Sequence, residues 1–221
     1  MLHLRMNLIR VLALSATGAI LVSCSDGAKT PSPNEGSADI PIAAIQGELN
    51  HVYLSVEEIA KDATAIAIIE IKSISNEVYE DIPFTIAQAV VRESIAGDLA
   101  VGNSITVGEM GGPIRGKNKQ KPGEFGEVRI MATGGVHPMA EGEVYLMFFD
   151  GPGRIGPVMD GAFAPLGAFQ GKIRLTESGK LDFDGADNSL SEEEYAVSRA
   201  LDGRQWSQVK AEIQTILGTA R

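Results

Sequence analysis

A chain of 221 residues with 44% hydrophobic and 22% charged residues is long enough to fold as one domain around a real core. Aromatics make up only 5%, so that core has to be built from Val, Ile, Leu and Ala. The formal net charge of -10 repels phosphate backbones and anionic headgroups, which disfavours a nucleic-acid partner and a body lying flat on a membrane.

Residues 1–10 carry Arg5 and Arg10 and no acid. Residues 11–22, VLALSATGAILV, are apolar apart from Ser15 and Thr17. A positive segment followed by a short apolar one has the layout of an export signal, and the stretch is too short and interrupted for a transmembrane span. It ends in Leu21-Val22-Ser23-Cys24, and Cys24 is the only cysteine of the chain. An internal disulfide is therefore excluded, and a catalytic thiol would need a histidine partner in the fold.

The quartet 21–24 resembles the bacterial lipobox: an aliphatic residue, a tolerant position, a small residue, then cysteine. The resemblance implies diacylglycerol on the Cys24 thiol, cleavage after Ser23, and a protein held on a bacterial membrane through its N-terminal lipid. Ser25 rather than Asp follows, which resembles an outer-membrane sorting signal in a Gram-negative cell. With a single membrane the expected place is the outer face of the cell membrane. An ordinary secretory peptide with a chance cysteine and an uncleaved anchor are the alternatives. Beyond Cys24, SDGAKTPSPNEGSADIP is polar and rich in Ser, Gly and Pro. Residues 24–48 are thus expected to be a flexible tether, of which about twenty residues would reach roughly 20–30 Å as a coil.

The remainder, 49–221, is expected to be a single globular domain. Leu54–Asp62 predicts a short helix, with Ser55 and Glu58 in capping-box spacing. Ala63–Ile74 and Phe84–Ile95 predict two strands joined by a polar turn at Asn76–Pro83, and Ser104–Glu109 a third. The first of these opens on an apolar run, which predicts burial on both faces. Gly111–Gly126 is rich in glycine and predicts a long, mobile loop carrying Arg115, Lys117, Lys119 and Lys121. Val128–Met131 and Val144–Phe149 predict further strands around a second loop, GGVHPMAEGE. Phe163–Leu175 and Lys180–Phe183 predict a closing hairpin with Ser178-Gly179 at its turn. Helices are expected over Glu192–Leu201, capped by Ser191 with Glu194, and over Gln205–Leu217, where Trp206, Val209, Ile213 and Ile216 or Leu217 share one face.

Short strands with short connections predict a mainly β, α+β fold: a small antiparallel OB-like barrel or sandwich with a short N-terminal helix and C-terminal helices. Ala65–Ile71, Gln88–Val91, Ile105–Val107 and Gly142–Phe149 give this stretch a pattern similar to netrin-like domains and tissue inhibitors of metalloproteinases. The likeness covers roughly residues 54–150 and implies an OB-type barrel. Those families are stapled by disulfides that this chain lacks, so the resemblance does not carry inhibition over to it.

Motifs that suggest chemistry fail in detail. Gly111-x4-Gly116-Lys117 fits most of a phosphate-binding loop, but Asn118 stands where Ser or Thr would hold magnesium, and no helix start follows. Asp182, Asp184, Asp187 and Glu193 suggest calcium, yet Ala186 falls at a ligand position and Asp187 where glycine is required. His51 and His137 have no metal-ligand spacing, and no G-x-S-x-G elbow is present. No cofactor or metal is therefore expected.

The favoured expectation is a non-enzymatic module that binds an envelope protein or glycan through the basic segment Arg115, Lys117, Lys119 and Lys121 and through residues 133–142. A merely solvated segment is the simpler account of those charges. A hydrolase with a site around His137 and Glu141 is the competing class. A small-ligand carrier would need an apolar cavity, which 25 glycines and few aromatics do not suggest.

Overall fold

The computed structural model describes residues 42–45, 51–117, 125–155, 159–185 and 190–219. Cys24, the stretch expected to be an export signal, Lys119, Lys121 and Asp187 lie outside them. Among the described residues nine strands run in chain order: β1 (Ile42–Ile45), β2 (Ala65–Tyr79), β3 (Ile82–Ala96), β4 (Ser104–Lys117), β5 (Phe125–Thr133), β6 (Val144–Ile155), β7 (Met159–Pro165), β8 (Lys172–Leu175) and β9 (Leu181–Asp182). Helix α1 (Val56–Asp62) precedes β2, a 3-10 helix (Ala168–Gly171) precedes β8, and α2 (Ala196–Leu201) and α3 (Trp206–Thr219) end the chain. The fold is mainly β with a few helices. Strand β1 falls inside the stretch expected to be tether.

Five strands form a ring. β3 pairs antiparallel with β2 and β4, and β2 pairs antiparallel with β6. β6 pairs antiparallel with β7, and β7 meets β4 in parallel through the single pair Val107↔Phe163. β8 and β9 extend the sheet beyond β6. β5 pairs with the outer half of β4, and β1 adds to β5 in parallel.

The apolar run at the start of β2 is buried on both faces, because two layers of core meet there. Ala65, Ala67, Ile69 and Ile71 join Tyr145, Met147 and Phe149 of β6 and Val107 of β4 inside the ring. The alternate residues Ile66 and Ile68, with Leu146 and Phe148, face the helices. There they meet Val56 and Ile59 of α1, Val197 and Leu201 of α2, and Val209 and Ile213 of α3. Trp206, Ile216 and Leu217 pack at the margin of this layer, on the stripe expected from the sequence. Ala67, Ala87 and Ala89 keep the ring interior narrow enough for side chains to fill it.

The helix starts follow the capping rules. Glu58 N donates to Ser55 Oγ at 3.1 Å at α1, and Ser191 and Glu194 exchange bonds reciprocally. The second box opens a turn over 192–195, and the helix proper begins only at Ala196.

Two expected loops are strands instead. Asn76–Pro83 continues the β2–β3 pairing, with Asn76↔Thr85 and Val78↔Pro83 in register. Only Glu80 and Asp81 turn, at φ 50 and 64, the mirror-image geometry that right-twisted strands require. Polar side chains there reflect an exposed two-stranded ribbon, not a break in the ladder. Gly111–Lys117 likewise continues β4. At Gly111 and Gly112 (φ 125 and 145) the strand leaves β3 and turns onto β5. A Cβ at Gly111 would stand 2.9 Å from Met131 O, so glycine serves a bend and a close approach. Pro113 is tolerated because β4 has left β3 by then, and that side of the strand needs no N–H. Thr85 Oγ1 donates to Gly111 O at 2.9 Å and Thr133 Oγ1 to Met110 O at 3.0 Å, fixing the bend from both neighbouring strands.

Candidate functional site

Beyond the single pair Val107↔Phe163, β4 bends away at Gly111 and β7 ends at Pro165, so the two strands diverge. A concavity of about 210 Å³ opens beside that seam. Met110, Val136, Ala164, Pro165 and Phe169 give it apolar walls, and Glu109 and Lys172 line it with charge.

The charged pair is a buried ion pair. The Lys172 side chain is 2% exposed and that of Glu109 10%. Lys172 Nζ donates to Glu109 Oε2 at 2.6 Å and to His137 O at 2.7 Å, and stands 5.7 Å from the centre of the Tyr145 ring. Glu109 Oε1 accepts from Met139 N. Two opposite charges taken out of water are tolerable only when each finds such partners.

The neighbouring polar groups form a second chain. Tyr145 OH donates to Glu143 Oε2, and Arg174 bonds Glu143 Oε1 at 3.3 Å and Asp182 Oδ2. Burial, reinforced by the charge and hydrogen bond of Glu143, pushes the Tyr145 hydroxyl far above its ordinary value, so it stays a donor. The Asp182 hydrogen bond likewise raises Arg174, outweighing partial burial. Asp182 is thus committed to Arg174, and no cluster of three metal-ligating side chains occurs among the described residues.

The stretch after β5 is firmly held. Tyr195 OH donates to Gly134 O at 2.9 Å, Val136 bridges Gly185, and Gly142 N donates to Ile71 O at 2.9 Å. His137 contributes its carbonyl oxygen to Lys172, and among the described residues no carboxylate bonds its ring. Glu141 is exposed, and no hydrogen bond joins it to His137 among the described residues. His51 sits elsewhere, with Nε2 3.1 Å from Glu58 Oε1 at the start of α1.

Of the basic segment, Arg115 lies exposed on β4 opposite Val128, and Lys117 pairs with Phe125 of β5. Both belong to a hairpin rather than the expected loop. The Gly111–Lys117 string is strand throughout, which removes the phosphate-loop geometry.

Lys172 and Glu109 were not singled out by the sequence. They stand 63 positions apart, Glu109 within β4 and Lys172 at the start of β8. The one signal was a lone charge abutting a run of core residues, which is common and unspecific. No helix among the described residues is long and apolar enough to cross a membrane. Neither a protein-family model nor a curated sequence matches the chain.

Proposed function

We propose that the chain is an exported lipoprotein, anchored to a bacterial membrane through lipid on Cys24, whose β domain is a non-enzymatic binding module of the cell envelope. The observation that carries this is Leu21-Val22-Ser23-Cys24 directly after a positive segment and an apolar one. Two or more acyl chains make a stable anchor, whereas one holds only marginally. The segment after Cys24 keeps the acidic domain off the headgroups it would repel.

The domain itself is an OB-type ring. A β2–β3–β4 meander, β6 antiparallel to β2, and β7 closing in parallel on β4 support this reading. Its contact surface for an envelope protein or glycan is the basic segment Arg115, Lys117, Lys119 and Lys121, of which Arg115 and Lys117 lie on β4, positive charge on an acidic protein.

Replacing Cys24 by Ala is expected to release the protein from membranes or to block processing; fractionation like wild type overturns the anchor. Replacing the four basic residues by Gln is expected to remove partners captured from envelope extracts. An unchanged partner set overturns the contact surface and leaves the anchor standing.

A further inference from the structure

We propose that two copies of this chain associate across a two-fold axis, the acidic tip of each β2–β3 ribbon seated on the basic outer part of β4 and β5 of the other. The inference rests on the basic contact surface proposed above and names its partner as a second copy.

Both projections leave the ring at one corner. A Cβ at Gly112 would stand 3.0 Å from Asn76 Oδ1 and 3.0 Å from Thr85 Oγ1, so β4 still lies against the ribbon there. Beyond that point the β2–β3 ladder runs on to Tyr79↔Ile82, while β4 pairs with β5 instead. Asn76 to Glu80 and Pro113 to Lys117 are each four steps along the chain, about 13 Å of strand. Two projections of equal length that fork from one corner are suited to a two-fold contact, in which each meets the other kind on the facing copy.

Their charges are matched. Residues 76–83 hold Glu77, Glu80 and Asp81 and no base, a net charge of -3. Residues 113–129 hold five basic and two acidic residues, a net charge of +3. Glu77, Glu80 and Asp81 are exposed, as are Arg115 and Arg129, and among the described residues none of the five is in an ion pair. The two projections cancel, so the rest of each copy carries the whole net charge of -10. The bodies therefore repel one another, which confines attraction to the projections and fixes the register of the contact.

The tip also offers apolar surface. Val78 is 57% exposed and Tyr79 40%. Opposite them the basic projection presents exposed Pro113 and half-buried Ile114 and Val128. An anionic glycan would meet the basic projection alone and be repelled by the acidic one beside it. A second copy satisfies both projections at once.

The test uses the purified full chain in neutral detergent, with a photo-crosslinking benzophenone side chain in place of Tyr79. Illumination is expected to give a covalent dimer whose crosslinked peptide falls within residues 113–129. Glu77→Lys/Glu80→Lys/Asp81→Lys is expected to reduce dimer yield at least about tenfold, and so is Arg115→Glu/Lys117→Glu/Arg129→Glu. Mixing the two reversed variants is expected to restore it, because each reversed tip then faces a reversed partner. Asp98→Lys/Glu141→Lys/Glu177→Lys, the same change of net charge at exposed sites elsewhere, is expected to leave the dimer in place. Monomer alone, a crosslink outside 113–129, equal loss in the control variant, or no rescue on mixing overturns the proposal. If the wild-type chain stays monomeric while envelope partners are still lost on replacing the basic residues by Gln, the second copy falls and the contact surface stands.

Discussion

Gln170 pairs with the main chain of Tyr53 as a neighbouring strand would: its Oε1 accepts from Tyr53 N at 3.1 Å and its Nε2 donates to Tyr53 O at 3.0 Å. A further bond from Nε2 reaches Glu194 O at 2.9 Å, and the side chain is wholly buried. One amide therefore ties the segment before α1 to the turn before α2. Gln170→Leu, of similar volume, leaves two carbonyls and one N–H unpaired and is expected to cost about 3 kcal/mol or more. A urea midpoint within error of wild type would refute this.

The Glu109–Lys172 pair is expected to be strongly non-additive. Removing either partner strands the other charge in the interior and is expected to cost about 3–5 kcal/mol. The double variant Glu109→Leu/Lys172→Leu is expected to lose less than the sum of the single changes, because neither charge is then left behind. Chemical denaturation of the three variants completes the cycle, and simple additivity would mean that the two groups do not interact.

Glu80 and Asp81 hold left-handed backbone angles at the tip of the β2–β3 ribbon, where neither is favoured. Asn at the first position and Gly at the second suit that turn. Glu80→Asn/Asp81→Gly is expected to stabilise by about 1 kcal/mol, read as a higher urea midpoint with an unchanged slope.

Glu93 of β3 fastens α3 to the ring: Trp206 Nε1 donates to its Oε2 at 3.1 Å, and Lys210 Nζ lies 2.5 Å from its Oε1. Burial alone would raise this carboxyl, but the bonds from Lys210 and Trp206 outweigh it and hold it below the ordinary range. The lowered value means that Glu93 binds protons less readily in the folded chain than in the unfolded one. Its contribution is complete above the ordinary glutamate value of roughly 4.3 and is lost as the pH falls through the folded value. Wild type is therefore expected to exceed Glu93→Gln in stability at about pH 7, and the advantage to shrink by about pH 3. Trp206, the only tryptophan, supplies the fluorescence signal. An advantage that persists undiminished at the lower pH would contradict this.

What the sequence made legible was periodicity. The apolar run from Ala65 declared a strand buried on two faces, and the spacing of Val209 and Ile213 declared the inner face of α3; both lie where expected. Composition misled where strand pairing continues beyond the core. Asn76–Pro83 and Gly111–Lys117 have the residues of turns, yet the first continues the β2–β3 ladder to within two residues of its tip and the second pairs with β5. Glycine there marks a bend in a strand and not its end. The hollow was illegible for a different reason. It arises from the divergence of β4 and β7, a property of two distant segments, and its charged residues carry no motif. His137, singled out for its imidazole, turned out to matter through its carbonyl.

β2 and β6 belong to both cores at once: their odd and even residues face opposite ways, into the ring or towards the helices. Peeling the helices away would bare Ile66, Ile68, Leu146 and Phe148 on the same two strands that line the ring. Neither layer has a wall of its own, so the domain should have little access to a half-melted state. Loss of Trp206 fluorescence, which reports the helix side, should coincide on heating with loss of the near-ultraviolet signal of Tyr145 inside the ring, as one cooperative transition.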